Sequence, residues 1–304
     1  MTRMIRGAAL LAAAVLALSA CGGGGGDDNP LSGGGGDGST ITIGGADFPE
    51  SGLIGEIYAQ ALEAKDVKVE RKFGIGSREV YINQVKSGAI QVFPEYNGAL
   101  LAYVDKENPA STSQEVDAAL SQKLPPELEI LNPAPAENKD TLAVTQATAT
   151  KHNLKTIADL KPVAKDMVLG GPPEFKTRKQ GLVGLEKVYG LKFKEFKSLD
   201  TGGPITVSNL SKGQVQVANL FSTDAAFKKN GFVALQDPEN VFGAQNVVPL
   251  VYKSKVNDTV RNALNAVSAK LTTEGLLEMN ADMSENKTDP ATVAKNWLGK
   301  NGLA

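Results

Sequence analysis

Ile90-Gln91-Val92-Phe93-Pro94-Glu95-Tyr96-Asn97-Gly98 reads as a buried strand, Ile90 to Phe93, that runs into the start of a helix with Tyr96 held between the polar Glu95 and Asn97. Alternating α/β chains present their ligands at such strand ends, which makes Tyr96 and Asn97 candidate ligand contacts. Working outward, the same alternation recurs. Ile41-Thr-Ile-Gly44 is a buried strand ending in a glycine turn, and Ser51 to Ala64 sets Leu53, Ile54, Ile57, Tyr58, Ala61 and Leu62 on one helix face. Val67 to Phe73 alternates as a strand, and Gly74-Ile-Gly-Ser77 turns into a short helix carrying Val80, Ile82 and Val85.

Downstream, Ser111-Thr-Ser-Gln114 is a capping-box pattern before Val116, Ala119 and Leu120, and Pro125-Pro126 stops that helix. Thr141 to Thr145 reads as a strand leaving a first lobe, Thr156 opens Ile157 to Leu160, and Met167 to Gly171 is a strand ending in a tight turn. Leu182 to Tyr189 is a helix closed by Gly190, and Gln214 to Asn219 is a strand. Asn219-Leu-Phe-Ser-Thr-Asp224 then repeats the layout of residues 93–98, with Phe221 at a strand end. Val247 to Tyr252 is a returning strand, followed by helices over Thr259 to Leu271 and Pro290 to Leu298. The alternation predicts an α/β architecture with mainly parallel sheets, and the two matching strand ends predict two lobes facing one cleft.

The N-terminus carries Arg3 and Arg6, an apolar run from Gly7 to Ala20, and Leu18-Ser19-Ala20-Cys21. This is the layout of a secretory signal, and the run falls short of the roughly 20 apolar residues that span a bilayer. These last four residues, Leu18 to Cys21, resemble the lipobox of bacterial lipoproteins, which implies cleavage after residue 20 and lipidation of Cys21. Cys21 is the only cysteine, so no disulfide forms within one molecule. Residues 22–39 are almost wholly Gly, Asp and Ser, a flexible tether of roughly 20–25 Å. Removing residues 1–20 takes two of the 32 basic residues and none of the 34 acidic ones, leaving a net charge of −4. Neither nucleic acid nor anionic lipid suits such a body. The expected organisation is a signal peptide at 1–20, a lipidated tether at 21–39, lobe I at 40–143, lobe II at 144–246 and a return to lobe I at 247–304. The expected location is the extracytoplasmic face of the cell membrane, with membrane contact through the lipid anchor alone, as a monomer.

Chemistry-bearing motifs are thin. The one histidine, His152, lies in a polar stretch without GxSxG, HExxH or CxxC context. Ser284-Glu-Asn-Lys287 fits SxxK inside a polar connector, and Gly74-Ile-Gly-Ser77 lacks the P-loop lysine. The expectation is a binder with no catalytic residue, no metal and no cofactor.

Ile43-Gly-Gly-Ala-Asp-Phe-Pro-Glu50, Gly76-Ser77, Pro94-Glu-Tyr-Asn-Gly98 and Pro133-Ala-Pro-Ala136 occur in order with Phe175, Arg178, Gly181, Phe221-Ser-Thr-Asp224 and Val248-Pro-Leu-Val251. In this order and spacing the chain from Ile41 onward resembles the osmoprotectant-binding proteins of ABC importers, which take glycine betaine, carnitine, choline or proline betaine. The resemblance implies a two-lobed type II periplasmic-binding-protein fold whose lobes are joined by two crossover strands, placed here at Thr141–Thr145 and Asn246–Leu250. It also implies an aromatic cage for a quaternary ammonium and an arginine for a ligand carboxylate. Tyr96 and Phe221 match cage positions and Arg178 matches the arginine. The other two cage positions fall on Asp140 and Gln245, and the glutamine and threonine of the first lobe fall on Ser51 and Ala99.

The implied function is an extracytoplasmic substrate-binding protein. It would capture a quaternary-ammonium osmoprotectant or related small polar solute and deliver it to an ABC permease and ATPase. Asp140 and Gln245 equally suit a hydroxyl-rich, aromatic or polyamine ligand, and a sensory or scaffold lipoprotein of the same fold stays open. Closure would bring Arg178 and Asp140 of one lobe onto Tyr96 of the other.

Overall fold

The computed structural model describes residues 40–304; the signal segment, Cys21 and the tether lie outside the described residues. The first lobe opens with β1 (Ile41–Gly44), α1 (Pro49–Glu63), β2 (Val69–Lys72), α2 (Arg78–Lys86) and β3 (Val92–Tyr96), then α3 (Asn97–Val104), α4 (Ser113–Lys123) and β4 (Leu128–Ile130). The second lobe holds β5 (Asp140–Thr145), α5 (Gln146–His152), β6 (Val168–Gly171), α6 (Leu182–Tyr189), β7 (Glu195–Ser198), α7 (Pro204–Ser211), β8 (Val217–Phe221), α8 (Ala226–Asn230) and β9 (Phe232–Ala234). The chain then returns through β10 (Val247–Tyr252) to α9 (Asp258–Lys270), α10 (Thr273–Ala281) and α11 (Pro290–Lys300).

The strand order is β2-β1-β3-β10-β4 in one sheet and β7-β6-β8-β5-β9 in the other. In each, four strands share a direction and one runs against them: β10 is antiparallel to β3 and β4, and β5 is antiparallel to β8 and β9. These two reversed strands are the ones that enter from the opposite lobe. They arrive without the helical crossover that makes neighbours parallel.

β5 therefore belongs wholly to the second sheet, and Thr141–Thr145 is not a crossing segment. The crossing lies upstream, in residues 131–139, so the first lobe ends before Asp140 and not at residue 143. This connector runs beside the return of the chain. The amide of Leu131 donates to the Pro249 carbonyl (2.9 Å), that of Ala134 to Val247 (2.8 Å) and that of Asn138 to Gln245 (3.0 Å), with Glu137 bridging Asn246. On the return, Asn246 lies in the connector and β10 is already a first-sheet strand. The apolar run at 141–145 marks a buried strand, and nothing in its residues says which sheet it joins.

α1 starts on Pro49, whose fixed φ and missing N–H suit a first helical position. All six residues expected on its inner face are buried, packed between the first sheet and α9 and α11. Opposite, Ile82, Phe93, Leu100 and Leu250 fill the other face of that sheet. The second lobe has its own core around Leu142, Ile157, Leu169 and Leu185. α4 is capped one residue later than its sequence pattern indicates, by a reciprocal pair of Thr112 and Glu115. Against the second connector, Gly98 sits so close that an added Cβ would lie 2.0 Å from the Ala244 carbonyl oxygen.

Candidate functional site

A cavity of about 250 Å³ lies between the two sheets. Six aromatic side chains line it, and three of them, Phe48, Tyr96 and Phe221, form a cluster on one wall. Phe48, just before α1, is 5.3 Å from Phe221 and 6.2 Å from Tyr96 between ring centroids, at tilts of 32° and 34°. Phe48 and Tyr96 come from the first lobe and Phe221 from the second, so the cluster exists only where the lobes meet. Asp140 stands directly opposite Phe221 across the β5–β8 pair, on the same face of the sheet.

A buried carboxylate holds this wall from behind. Glu50 accepts from the Tyr96 hydroxyl (2.5 Å) and Asn138 Nδ2 (2.7 Å) on Oε1, and from Thr223 Oγ1 and Asn280 Nδ2 (both 2.6 Å) on Oε2. The donors belong to β3, the first connector, the turn after β8 and α10. One side chain thereby ties both lobes to the hinge. Beneath the cavity Arg78 makes a two-pronged pair with Glu95 (2.8 and 2.7 Å), which also accepts from the Tyr81 hydroxyl at 2.7 Å.

Across the mouth, Arg178 of the second lobe meets Glu79 of α2, Nε to Oε1 at 3.2 Å and Nη2 to Oε2 at 2.9 Å. Burial alone would raise the Glu79 carboxyl, but the hydrogen bonds and charge of Arg178, with the Ser77 hydroxyl, outweigh it and hold it at about 2. Asp140 behaves oppositely. Burial pushes its carboxyl above the ordinary range, against the pull of the Asn219 amide (2.8 Å) and of more distant Arg178 and Arg78.

Of the residues expected at the site, Tyr96, Asp140, Arg178, Phe221 and Gln245 line the cavity and Ser51 and Asn97 do not. Ser51 is buried at the start of α1, where its hydroxyl accepts from the Ala46 amide at 2.8 Å. A side chain two residues into a helix that folds back on its own β1 turn cannot also face the cleft. Asn97 is buried in the hinge: its Nδ2 donates to Asp117 (2.8 Å), and its Oδ1 accepts from the Gly98 and Asn246 amides. Successive strand residues face opposite ways, so the junction that aims Tyr96 at the cavity turns Asn97 away. Gln245 faces the cavity with its amide committed. It accepts from the Ala99 amide (3.0 Å) and donates to Gln180 Oε1 (3.0 Å) and the Phe242 carbonyl (2.8 Å).

The sequence reading passed over Phe48, Glu50, Glu79 and Asn219 as site residues. Phe48 and Glu50 stand in the stretch 43–50, where an aromatic two residues from an acid at a helix start is the available signal. The SxxK pair is local: Ser284 Oγ donates to the Ala281 carbonyl and Lys287 Nζ to the Ser284 carbonyl.

A family model described as the substrate-binding domain of ABC-type glycine betaine transport systems matches residues 39–300. The glycine betaine-binding protein YehZ of Escherichia coli is 30% identical over 278 residues, 87% of this chain and 91% of that protein. The carnitine transport binding protein OpuCC of Listeria monocytogenes is 24% identical over 269 residues, 86% of this chain and 87% of that protein. A solved glycine betaine/carnitine/choline ABC transporter protein superposes with a TM-score of 0.67 at 22% identity, covering 86% of this chain and 99% of that one, which speaks for a shared fold.

Proposed function

The chain belongs to the family of substrate-binding domains of ABC-type glycine betaine transport systems, and from that premise we propose that its cleft captures a quaternary-ammonium osmoprotectant or closely related small solute. Proteins of this family bind and hand over solutes; they are not enzymes. They work outside the cytoplasm and hand their solute to a permease partner; among the described residues no helix is long and apolar enough to cross a membrane.

The observation that carries the ligand reading is the three-ring cluster of Phe48, Tyr96 and Phe221, drawn from both lobes and set beside Asp140. Aromatic faces attract a cation that has no hydrogen to donate, and a partly buried carboxylate adds a charge of the right sign. A ring cluster shared between lobes is completed only on closure, and a contact made only in the closed state is what lets a ligand drive closure. The receptor acts as a monomer, tethered through a lipid on Cys21, with lobe I in residues 40 to about 139 and from 247 onward and lobe II between them. It delivers its solute to a permease and its ATPase.

Titration calorimetry with choline, carnitine and glycine betaine tests the ligand reading. At least one binds, and Tyr96→Ala weakens it by more than about tenfold, the equivalent of 1.4 kcal/mol. Unchanged affinity in that variant, or binding confined to hydroxyl-rich solutes, overturns the site assignment. Metabolic labelling with a fatty acid, with Cys21→Ala as control, tests the anchor; label retained in the variant defeats it.

A further inference from the structure

Arg178 is the residue that would receive a ligand carboxylate, and a carboxylate of the chain itself already occupies it. Glu79 meets its Nε and Nη2 at 3.2 and 2.9 Å, and Glu174 Oε1 lies 3.9 Å from the same Nη2. Two parallel bonds to one guanidinium edge are the geometry a bound carboxylate adopts. Glu79 comes from the first lobe and Arg178 from the second, so the pair bridges the closed cleft using only the protein's own charges.

The wall around Asp140 has the opposite character. Its Oδ1 accepts from the neutral Asn219 amide at 2.8 Å. Among the described residues no cation stands within ion-pair distance of it; the arginines that act on it do so from farther off. Phe221 is its direct cross-strand neighbour. An aromatic face beside a partly buried carboxylate with no cation at ion-pair distance favours a positive guest and penalises a negative one. The other cations of the lining are committed or wet. Arg78 is forked onto Glu95, Lys179 Nζ donates to the Asn108 carbonyl at 2.7 Å, and Lys106 is exposed at the cleft edge, where solvent and salt screen it.

Resting on the solute-receptor reading above, we propose that Glu79 takes the place of a ligand carboxylate, so that the cleft selects a cation bearing no carboxylate over a zwitterion with the same ammonium head. A zwitterion takes the Nε–Nη2 edge of Arg178 only after Glu79 lets go, and Glu79 is then left half-buried without its partner. It also brings negative charge into the space Asp140 already makes negative. A carboxylate-free cation leaves the Arg178–Glu79 bridge intact and places its charge against Asp140 and the rings.

Choline and glycine betaine share the trimethylammonium head and differ in an alcohol against a carboxylate, so calorimetry of the full chain with both is the test. Choline is expected to bind at least about tenfold more tightly. Glu79→Gln, an isosteric change at a half-exposed position, frees Arg178 and should raise glycine betaine affinity by about threefold or more without raising that for choline. Asp140→Asn should weaken choline by about tenfold and leave glycine betaine within about threefold. Glycine betaine binding as tightly as choline overturns the inference and leaves the receptor reading standing, as does a Glu79→Gln variant in which both affinities fall equally. Heat from neither compound, alongside binding of a solute with no ammonium group, overturns the quaternary-ammonium reading and this inference with it.

Discussion

The Tyr96 hydroxyl donates to Glu50 Oε1 at 2.5 Å, so the ring that faces the cleft is fixed in orientation by a carboxylate buried behind it. Asn138, Thr223 and Asn280 complete that carboxylate's shell. A buried ionised group is tolerated when hydrogen bonds replace its water, and these four donors do so at the one point where both lobes and the hinge converge. Replacing Glu50 by Ala orphans three buried donors, on Tyr96, Asn138 and Thr223, each worth about 1–3 kcal/mol when left unmade, and leaves the half-buried Asn280 amide only the Thr223 carbonyl at 3.1 Å. We expect Glu50→Ala to cost about 4 kcal/mol or more and Glu50→Gln about 2 kcal/mol in chemical denaturation. Tyr96→Phe, which loses one bond and keeps the ring, should cost about 1 kcal/mol and shift ligand affinity by less than about threefold. A Glu50→Gln protein as stable as the wild type would show that the shell is not what holds the hinge.

Thr223 contributes the second-lobe bond of that shell, Oγ1 to Glu50 Oε2 at 2.6 Å. Valine has nearly the same shape and no hydroxyl. Because this contact joins the lobes, its loss penalises the closed state and leaves the open one unaffected. Thr223→Val should therefore weaken ligand binding by about tenfold, from a charge-assisted bond of about 1.5–3 kcal/mol that is partly replaced by water. It should also enlarge the radius of gyration of the ligand-free protein in small-angle scattering, with saturating ligand restoring the compact value. Weakened binding with identical scattering profiles would place the role of Thr223 in the ligand contact and not in closure.

Much of this architecture was legible in the sequence because it rests on periodicity. α6 and β10 have the bounds their patterns predict, and the inner face of α1 is apolar for reasons of burial that any helix shares. Cavity-lining residues were legible where a strand end fixes their direction, as for Tyr96 and Phe221. Ser51 and Asn97 were not, because each is polar, adjacent to a recognised motif and consumed by a local backbone bond that only the folded turn reveals. Glu50 and Glu79 fail for another reason. One surface acid among many reads like any other, and what distinguishes these two is a partner 173 residues away for Glu50 and 99 away for Glu79. The crossover at 131–139 is not legible because its pairing is scattered, partly onto β10 and partly onto the connector before it, and carries no hydrophobic alternation.

Gly98 opens α3 where that helix presses on the second connector. A Cβ there would stand 2.0 Å from the Ala244 carbonyl oxygen, a backbone atom that cannot step aside without moving the hinge. We expect Gly98→Ala to destabilise the protein by about 1–3 kcal/mol, the usual range for overpacking, and to lower ligand affinity through the displaced Gln245 next to it. Gly52, which has open space around its Cβ position, is the control: alanine there, inside α1, should be neutral or stabilising by up to about 1 kcal/mol. Equal effects at the two sites would show that the connector yields freely.

Asp224 sets an acid-side pH dependence of opposite sign to that of Glu79. Burial, with a smaller contribution from the charge of Glu50, raises its carboxyl to about 6 against the hydrogen bond it accepts from the Ala226 amide. Between the ordinary value of 3.8 and about 6 the folded protein holds this proton more tightly than the unfolded chain, so stability falls as pH rises through that window and is flat above it. The ceiling is about 3 kcal/mol, from roughly two pKa units at 1.36 kcal/mol each, and solvent access lowers it. Glu79, held at about 2 by Arg178, contributes stability that is present above about 4.5 and is lost as pH falls toward 2. The two slopes overlap in the wild type, and the difference between wild type and Asp224→Asn isolates one of them. Asparagine keeps an oxygen for the Ala226 amide and cannot ionise. The variant should match the wild type near pH 4 and exceed it at pH 7 by about 1–2 kcal/mol, a rise of a few degrees in melting temperature for a body of this size. A difference that stays constant from pH 4 to 7 would show that Asp224 ionises normally in the fold.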